Sequence, residues 1–256
     1  MPMQGKNRAV KIIALLLVVL VSGLMLAAFH FHSNADALWQ IVSEKCVPGQ
    51  QQRGNPAPCS QVDTAEGYVT LKDRNGPLQY LLLPVAKISG MESPQLLNPH
   101  TANFFWLSWQ HRHLLAEKRA APVADSAISL TINAQYGRTQ NQLHVHISCL
   151  RRDVRQQLDQ LAPSLNERWQ PQTLRNHPYL LRTLTAEQLA AESVFIRLAN
   201  EVPGARTQMG QYGMALAALP DGRLVLMAVE RNWLKLNRGS AEEIQDHSCE
   251  ILQQSN

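Results

Sequence analysis

No CxxC pair, no internal repeat and no low-complexity tract occurs in the 256 residues. Without a CxxC there is no support for a redox centre or a zinc ribbon. Without a repeat there is none for a solenoid or propeller. A Pro/Gly/Ser-rich linker is missing too, and the length suits one well-cored domain and is short for two. Surplus charge is scarce once its position is considered. The formal net charge is +4, but Lys6, Arg8 and Lys11 precede any acidic residue. Setting these three aside leaves 21 of the 24 basic residues against 20 acidic ones. A nucleic-acid binder carries a clustered basic face, so nucleic acid is not expected as a partner.

What the sequence does have is one long apolar run. Ile12 to Phe31 is 20 residues interrupted only by one Ser, one Gly and one His. A helix of that length rises about 30 Å, the thickness of a bilayer's hydrocarbon core. The basic cluster before it predicts an N-terminus in the cytoplasm. The expectation is a single-pass protein of a bacterial inner membrane: residues 1–32 as basic flank and anchor, residues 33–256 as one periplasmic domain. Phe29, Phe31 and Trp39 suit the membrane boundary. The competing reading is a cleaved signal peptide, with Ala35-Asp36-Ala37 as the cleavage site. An apolar region of about 15 residues at most is usual there, and this one is longer.

Four cysteines follow: Cys46, Cys59, Cys149 and Cys249. An even count beyond an export segment reads as disulfides. Cys46 and Cys59 bracket a Pro/Gln/Gly-rich stretch read as a loop that a local bridge would close, which leaves Cys149 to Cys249. Helical spacing marks Asp36 to Cys46, Phe104 to Lys118 and the run before Pro163. Capping boxes at Thr185 to Gln188 and Ser240 to Glu243 predict two further helix starts. Two β-rich runs around Asn75-Gly76, and two more around Pro220-Asp221-Gly222, predict hairpins. Ala127 to Asn133 and Gln142 to Leu150 read as strands. The fold class is α+β, with an antiparallel sheet and flanking helices.

The chemistry is expected on the last of those strands. Side chains alternate faces along a strand, so Leu143, Val145, Ile147 and Cys149 share a core face. Gln142, His144, His146 and Ser148 share the other. Two imidazoles at i and i+2 suit two chemistries. One is a zinc site or zinc-dependent hydrolase using His144 and His146 with a third ligand. QLHVHIS resembles the zinc strand of α-carbonic anhydrases, but the region of that family's third histidine reads Arg168-Trp169 here. His177 and Asp153 have no supporting spacing. The other chemistry is nucleophilic attack by histidine on phosphorus. His111 and His113 read as a solvated helix face, and Trp106 and Trp109 as packing.

Gly137-Arg138-Thr139 followed by Gln142-Leu-His144-Val-His146-Ile-Ser resembles the histidine-triad superfamily of nucleotide hydrolases and transferases, with Gln142 in the first triad place. KDRNGPLQYLLLPVAKISG resembles that superfamily's hairpin, and Asn133 its strand end. The ESP, NFFWLSWQ, RTQN-LHVHISC and SAEEIQDH-CEIL segments narrow the likeness, over nearly the whole chain, to bacterial CDP-diacylglycerol pyrophosphatases. That resemblance implies a nucleotide-activated phospholipid as substrate, a membrane as partner and no cofactor. It implies His144 as the nucleophile that becomes nucleotidylated. His146, Thr139 and Asn133 would donate to phosphate oxygens, Gln142 would orient the site and Asp73 would meet the ribose. A register shifted by one pair would make His146 the nucleophile and Ser148 the third member; the spacing from the Gly-x-Thr leader favours His144.

Overall fold

The computed structural model describes residues 11–25 and 35–253. Residues 11–25 are helical, with apolar side chains exposed along them. Among the described residues no helix is long and apolar enough to cross a membrane. The transmembrane helix expected over Ile12–Phe31 is therefore not supported; its second part, with Phe29 and Phe31, lies outside the described residues, as do Lys6 and Arg8.

Ala37–Gln40, Ile41–Cys46 and Val47–Arg53 run on as one helix, α1, whose middle six residues are π-helical. The Pro/Gln/Gly stretch read as a loop is thus mostly helix. Gly54, left-handed at φ 64°, ends the helix. The disulfide between Cys46 and Cys59 closes this unit, and the second joins Cys149 to Cys249, both as expected.

Nine strands form one sheet in the order β1-β2-β3-β5-β4-β8-β9-β7-β6, every neighbouring pair antiparallel. They are β1 (Gln61–Asp63), β2 (Tyr68–Lys72), β3 (Tyr80–Pro84), β4 (Ile128–Ile132), β5 (Val145–Cys149), β6 (Gln170–Leu174), β7 (His177–Leu184), β8 (Tyr212–Ala218) and β9 (Leu224–Glu230). The α+β class and both expected hairpins stand. β1, β6 and β7 are additions. β6 carries Pro171, which an edge strand tolerates because that edge needs no donor.

Each face of the sheet is covered. One packs on α2 (Phe104–Gln110), α3 (Leu114–Arg119) and α6 (Val194–Glu201), with Phe104, Phe105, Leu115 and Phe195 buried against Leu130, Ile147 and Leu216. The other face is covered in two patches. α1 places Val42 and Cys46 on Val69, Leu71, Leu81 and Leu83. α4 (Arg152–Leu161) and the C-terminal return place Val154, Leu158, Ala241 and Ile244 over Ala215, Ala217 and Met227. α5 (Ala186–Ala191) begins with the Thr185–Gln188 capping box, as expected. The box at Ser240 does not form. Its hydroxyl donates to Asn133, and only a 3-10 turn, Ala241–Ile244, follows. The face of β5 that bears His146 lies in the gap between the two patches.

Candidate active site

Gln142, Leu143 and His144 precede β5, which begins at Val145, one residue after the first histidine. Leu143, Val145, Ile147 and Cys149 are core residues, as the alternation requires. The opposite row is buried as well, with His144 only 8% and His146 6% exposed. Two things bury it. His146 sits mid-sheet, opposite Leu81 of β3 and Thr131 of β4. Gln245 of the C-terminal return caps the row, donating to the Ser129 carbonyl and accepting from Thr131 Oγ1.

The two imidazoles, with centroids 4.9 Å apart and planes at 66°, open into a cavity of about 330 Å³. Asp73, Asn133 and Thr139 line it too, together with Leu38 and Ile41 of α1. Of the six residues given a role with His144 as nucleophile, only Gln142 is absent from the lining. Its amide points away and donates to the carbonyls of Pro84 and Ala86. A larger concavity, about 750 Å³, lies near Arg112 and Pro220 and contains no histidine; the chemistry belongs to the smaller one.

Hydrogen bonds give the two histidines different tautomers. His144 Nδ1 is 2.6 Å from the Gln142 carbonyl, which can only accept, so Nδ1 carries the proton and Nε2 presents its lone pair. For His146 the chain runs through Gln79. The Asp73 carboxylate, an acceptor, receives Gln79 Nε2 at 2.6 Å, which fixes the amide's orientation. The same nitrogen lies 3.1 Å from His146 Nδ1, so Nδ1 accepts and the proton sits on Nε2. His146 Nε2 is buried and has no hydrogen-bond partner among the described residues. A buried donor in that state calls for an acceptor from a ligand. One ring thus offers an electron pair and the other a proton.

The electrostatics keep both rings neutral. Burial, then the neighbouring His146, pushes His144 down from 6.5 to about 4. Burial lowers His146 as well, opposed by Glu242 and Asp73. Glu242 is a site residue the sequence reading passed over. It lines the cavity and lies 3.5 Å from His146 Nδ1 and 3.2 Å from His247 Nε2. Burial pushes its carboxyl up, but hydrogen bonds from His247 and Asn133 and the charge of His247 outweigh this and hold it at about 2. Its hydrogen bond raises His247 in return.

Asn133 is the clamp for this return. Its Nδ2 donates to Glu242 Oε2 at 2.9 Å, while its Oδ1 accepts from Ser240 Oγ and the Glu242 N–H. One of its two amide hydrogens is therefore committed to Glu242, a contact the resemblance did not imply. Arg138, also in the lining, is held by Glu92 through two bonds of 2.7 Å. Gly76, at φ 65°, is required twice over. It takes a left-handed conformation, and a Cβ there would lie 2.3 Å from the His247 carbonyl. This contact sets the Asp73–Gln79 turn against the C-terminal return.

Among the described residues no group of three or more His, Cys, Asp or Glu side chains is arranged to hold a metal ion. His177 and Asp153, the third ligands considered, are engaged with Glu243 and with Arg175.

A buried histidine pair of opposite tautomers beside a cavity with an apolar wall suits attack on the phosphate of an amphiphile. The family model described as CDP-diacylglycerol pyrophosphatase matches residues 33–253. The chain belongs to the CDP-diacylglycerol pyrophosphatase family, and it is a hydrolase of the pyrophosphate bond of CDP-diacylglycerol.

Proposed function

We propose that the site splits CDP-diacylglycerol into CMP and phosphatidate through a nucleotidylated His144. His144 Nε2 attacks the phosphorus that bears cytidine. The P–N bond forms as the bond to the bridging oxygen breaks, and phosphatidate leaves with the electron pair. Water then attacks the same phosphorus, the P–N bond breaks, and CMP is released. His146, whose buried Nε2 has no partner among the described residues, donates to the oxygen on which charge accumulates. Thr139 donates beside it, and Asp73, besides orienting Gln79, meets the ribose. Asn133 and Gln142 act by positioning, the first through Glu242 and the second through its carbonyl on His144.

The observation that carries this reading is the pair of tautomers. A nucleophile needs the lone pair that the Gln142 carbonyl leaves on His144, and an oxyanion donor needs the proton that Gln79 leaves on His146. The same distinction favours His144 over the shifted register. A histidine-triad-like fold with Gln142 in the first triad place, a membrane anchor in the N-terminal apolar run and a periplasmic catalytic domain complete the proposal. Two disulfides support the oxidising compartment. The test is turnover of CDP-diacylglycerol by wild type, His144→Ala and His146→Ala side by side. Substantial activity in His144→Ala would discard this assignment.

A further inference from the structure

Between residues 35 and 253 the exposed large apolar side chains gather in one place: Trp233 at 54%, Leu234 at 98%, Leu236 at 87% and, beside them, Tyr136 at 47%. The Tyr136 and Trp233 rings are 6.3 Å apart and edge to face. Scattered single leucines on a surface are ordinary, whereas a clustered patch marks a contact.

The loop is built to hold these side chains outward. Asn232 and Asn237 exchange backbone hydrogen bonds of 2.8 and 2.9 Å across its base. Asn232 Oδ1 accepts from the Lys235 N–H. Asn237, 1% exposed, donates to the Glu230 carbonyl and accepts from the Gly239 N–H. Leu236 sits at φ 53°, a left-handed conformation that Gly or Asn would take more easily. A costly conformation that exposes a leucine points to use of the side chain itself.

The charge of the loop names the partner. Residues 231–238 carry Arg231, Lys235 and Arg238 and no acid. The Arg231 guanidinium lies 4.3 Å from the Tyr136 ring centre and 5.1 Å from that of Trp233. Tryptophan, leucine and basic residues together suit the headgroup region of an anionic bilayer.

Position completes the case. Arg238 Nε donates to the Tyr136 carbonyl, and Gly137 packs on the backbone of Arg238 and Gly239. Gly137, Arg138 and Thr139 are cavity lining. On its far side the same 135–141 segment meets the start of α1, where the Asn141 N–H donates to Ala35 and Gln140 accepts from the Leu38 N–H. The cavity rim therefore lies between the exposed loop and the chain that follows the N-terminal apolar helix.

We infer that the 231–238 loop is a membrane contact separate from the N-terminal segment. It inserts Trp233, Leu234 and Leu236 among the headgroups of an anionic bilayer and turns the cavity rim toward it. The inference rests on the reading of the substrate as a bilayer lipid. It places the pyrophosphate within reach of His144 while the acyl chains stay in the membrane.

The full-length protein carrying Trp233→Ser, Leu234→Ser and Leu236→Ser together tests it against two forms of CDP-diacylglycerol: long-chain in phosphatidylglycerol-containing vesicles, and short-chain dispersed as monomers. The KM on vesicles should rise by about tenfold with short-chain turnover unchanged. Equal kinetics on vesicles, or equal losses on both forms, would overturn the inference. Tryptophan quenching by brominated phosphatidylglycerol, wild type against Trp233→Phe, gives a readout independent of turnover. Wild type should show a lipid-quenched component that the variant lacks, and identical quenching would overturn the inference. If wild type hydrolysed neither form, the reading of the reaction would fail while the quenching still judged the membrane contact.

Discussion

The two histidines, two residues apart, take their tautomers from different parts of the chain. The Gln142 carbonyl is local, but the Asp73–Gln79 relay that fixes His146 comes from the turn between β2 and β3. His144→Ala should reduce turnover by at least about 10³-fold, as expected for loss of a nucleophile. His146→Ala should cost about 10²-fold, the scale of one oxyanion donor. Gln79→Leu should impair kcat more than KM, since Gln79 orients a group acting in the transition state; an unchanged kcat would remove it from the relay. The pH profile is a second check. His144 titrates at about 4 and not at its ordinary 6.5, because it is buried beside His146. The acid limb of kcat/KM should therefore fall near pH 4, and a limb near 6.5 would mean that the nucleophile is not this buried ring. The unfolded chain binds more protons at this position between the two values, so stability should drop as pH falls through that window.

At the scale of elements, the sequence carries its clearest signals where local chemistry decides the structure: the Thr185 capping box, the strand alternation around β5, and the two hairpins. It fails where tertiary contacts override local preference. Ser240-Ala-Glu-Glu243 has the letters of a helix start, yet the Ser240 hydroxyl and the Glu242 N–H are both taken by Asn133. The stretch instead becomes the short return that brings Glu242 and His247 to the site. Nothing in the local sequence of β4 or of this return announces their pairing. Glu242→Gln removes the partner that chiefly raises His247, so the His247 resonance should titrate at lower pH by NMR; an unmoved titration would contradict the pair. The Cys149–Cys249 bridge ties this return to the end of β5. Replacing both cysteines by serine should cost about 2–5 kcal/mol in denaturant unfolding and lower kcat as well, because Glu242 and Gln245 sit on the tethered segment. Loss of stability with full kcat would show that the return does not serve the site.

At the scale of the molecule, the sheet places its polar, site-bearing strands at the centre, with α1 closing one side of the cavity and the C-terminal return the other. The mixture of helices and hairpins made the α+β class legible, but not the nine-strand order, since pairing β4 to β8 and β7 to β9 rests on contacts distant in the chain. Every proposed group is a side chain or backbone group, so turnover should survive EDTA; loss on chelation with recovery on adding zinc would favour the alternative chemistry of the His144/His146 pair. The central claim is that the nucleotide half of the substrate visits the protein covalently while the lipid half remains in the bilayer. The most direct test is a rapid quench without acid, using CDP-diacylglycerol labelled in the cytidine, followed by peptide mapping. Label should be found on the peptide that contains His144, bound through an acid-labile bond to that side chain. Label on His146, or turnover with no protein-bound nucleotide, would contradict the account.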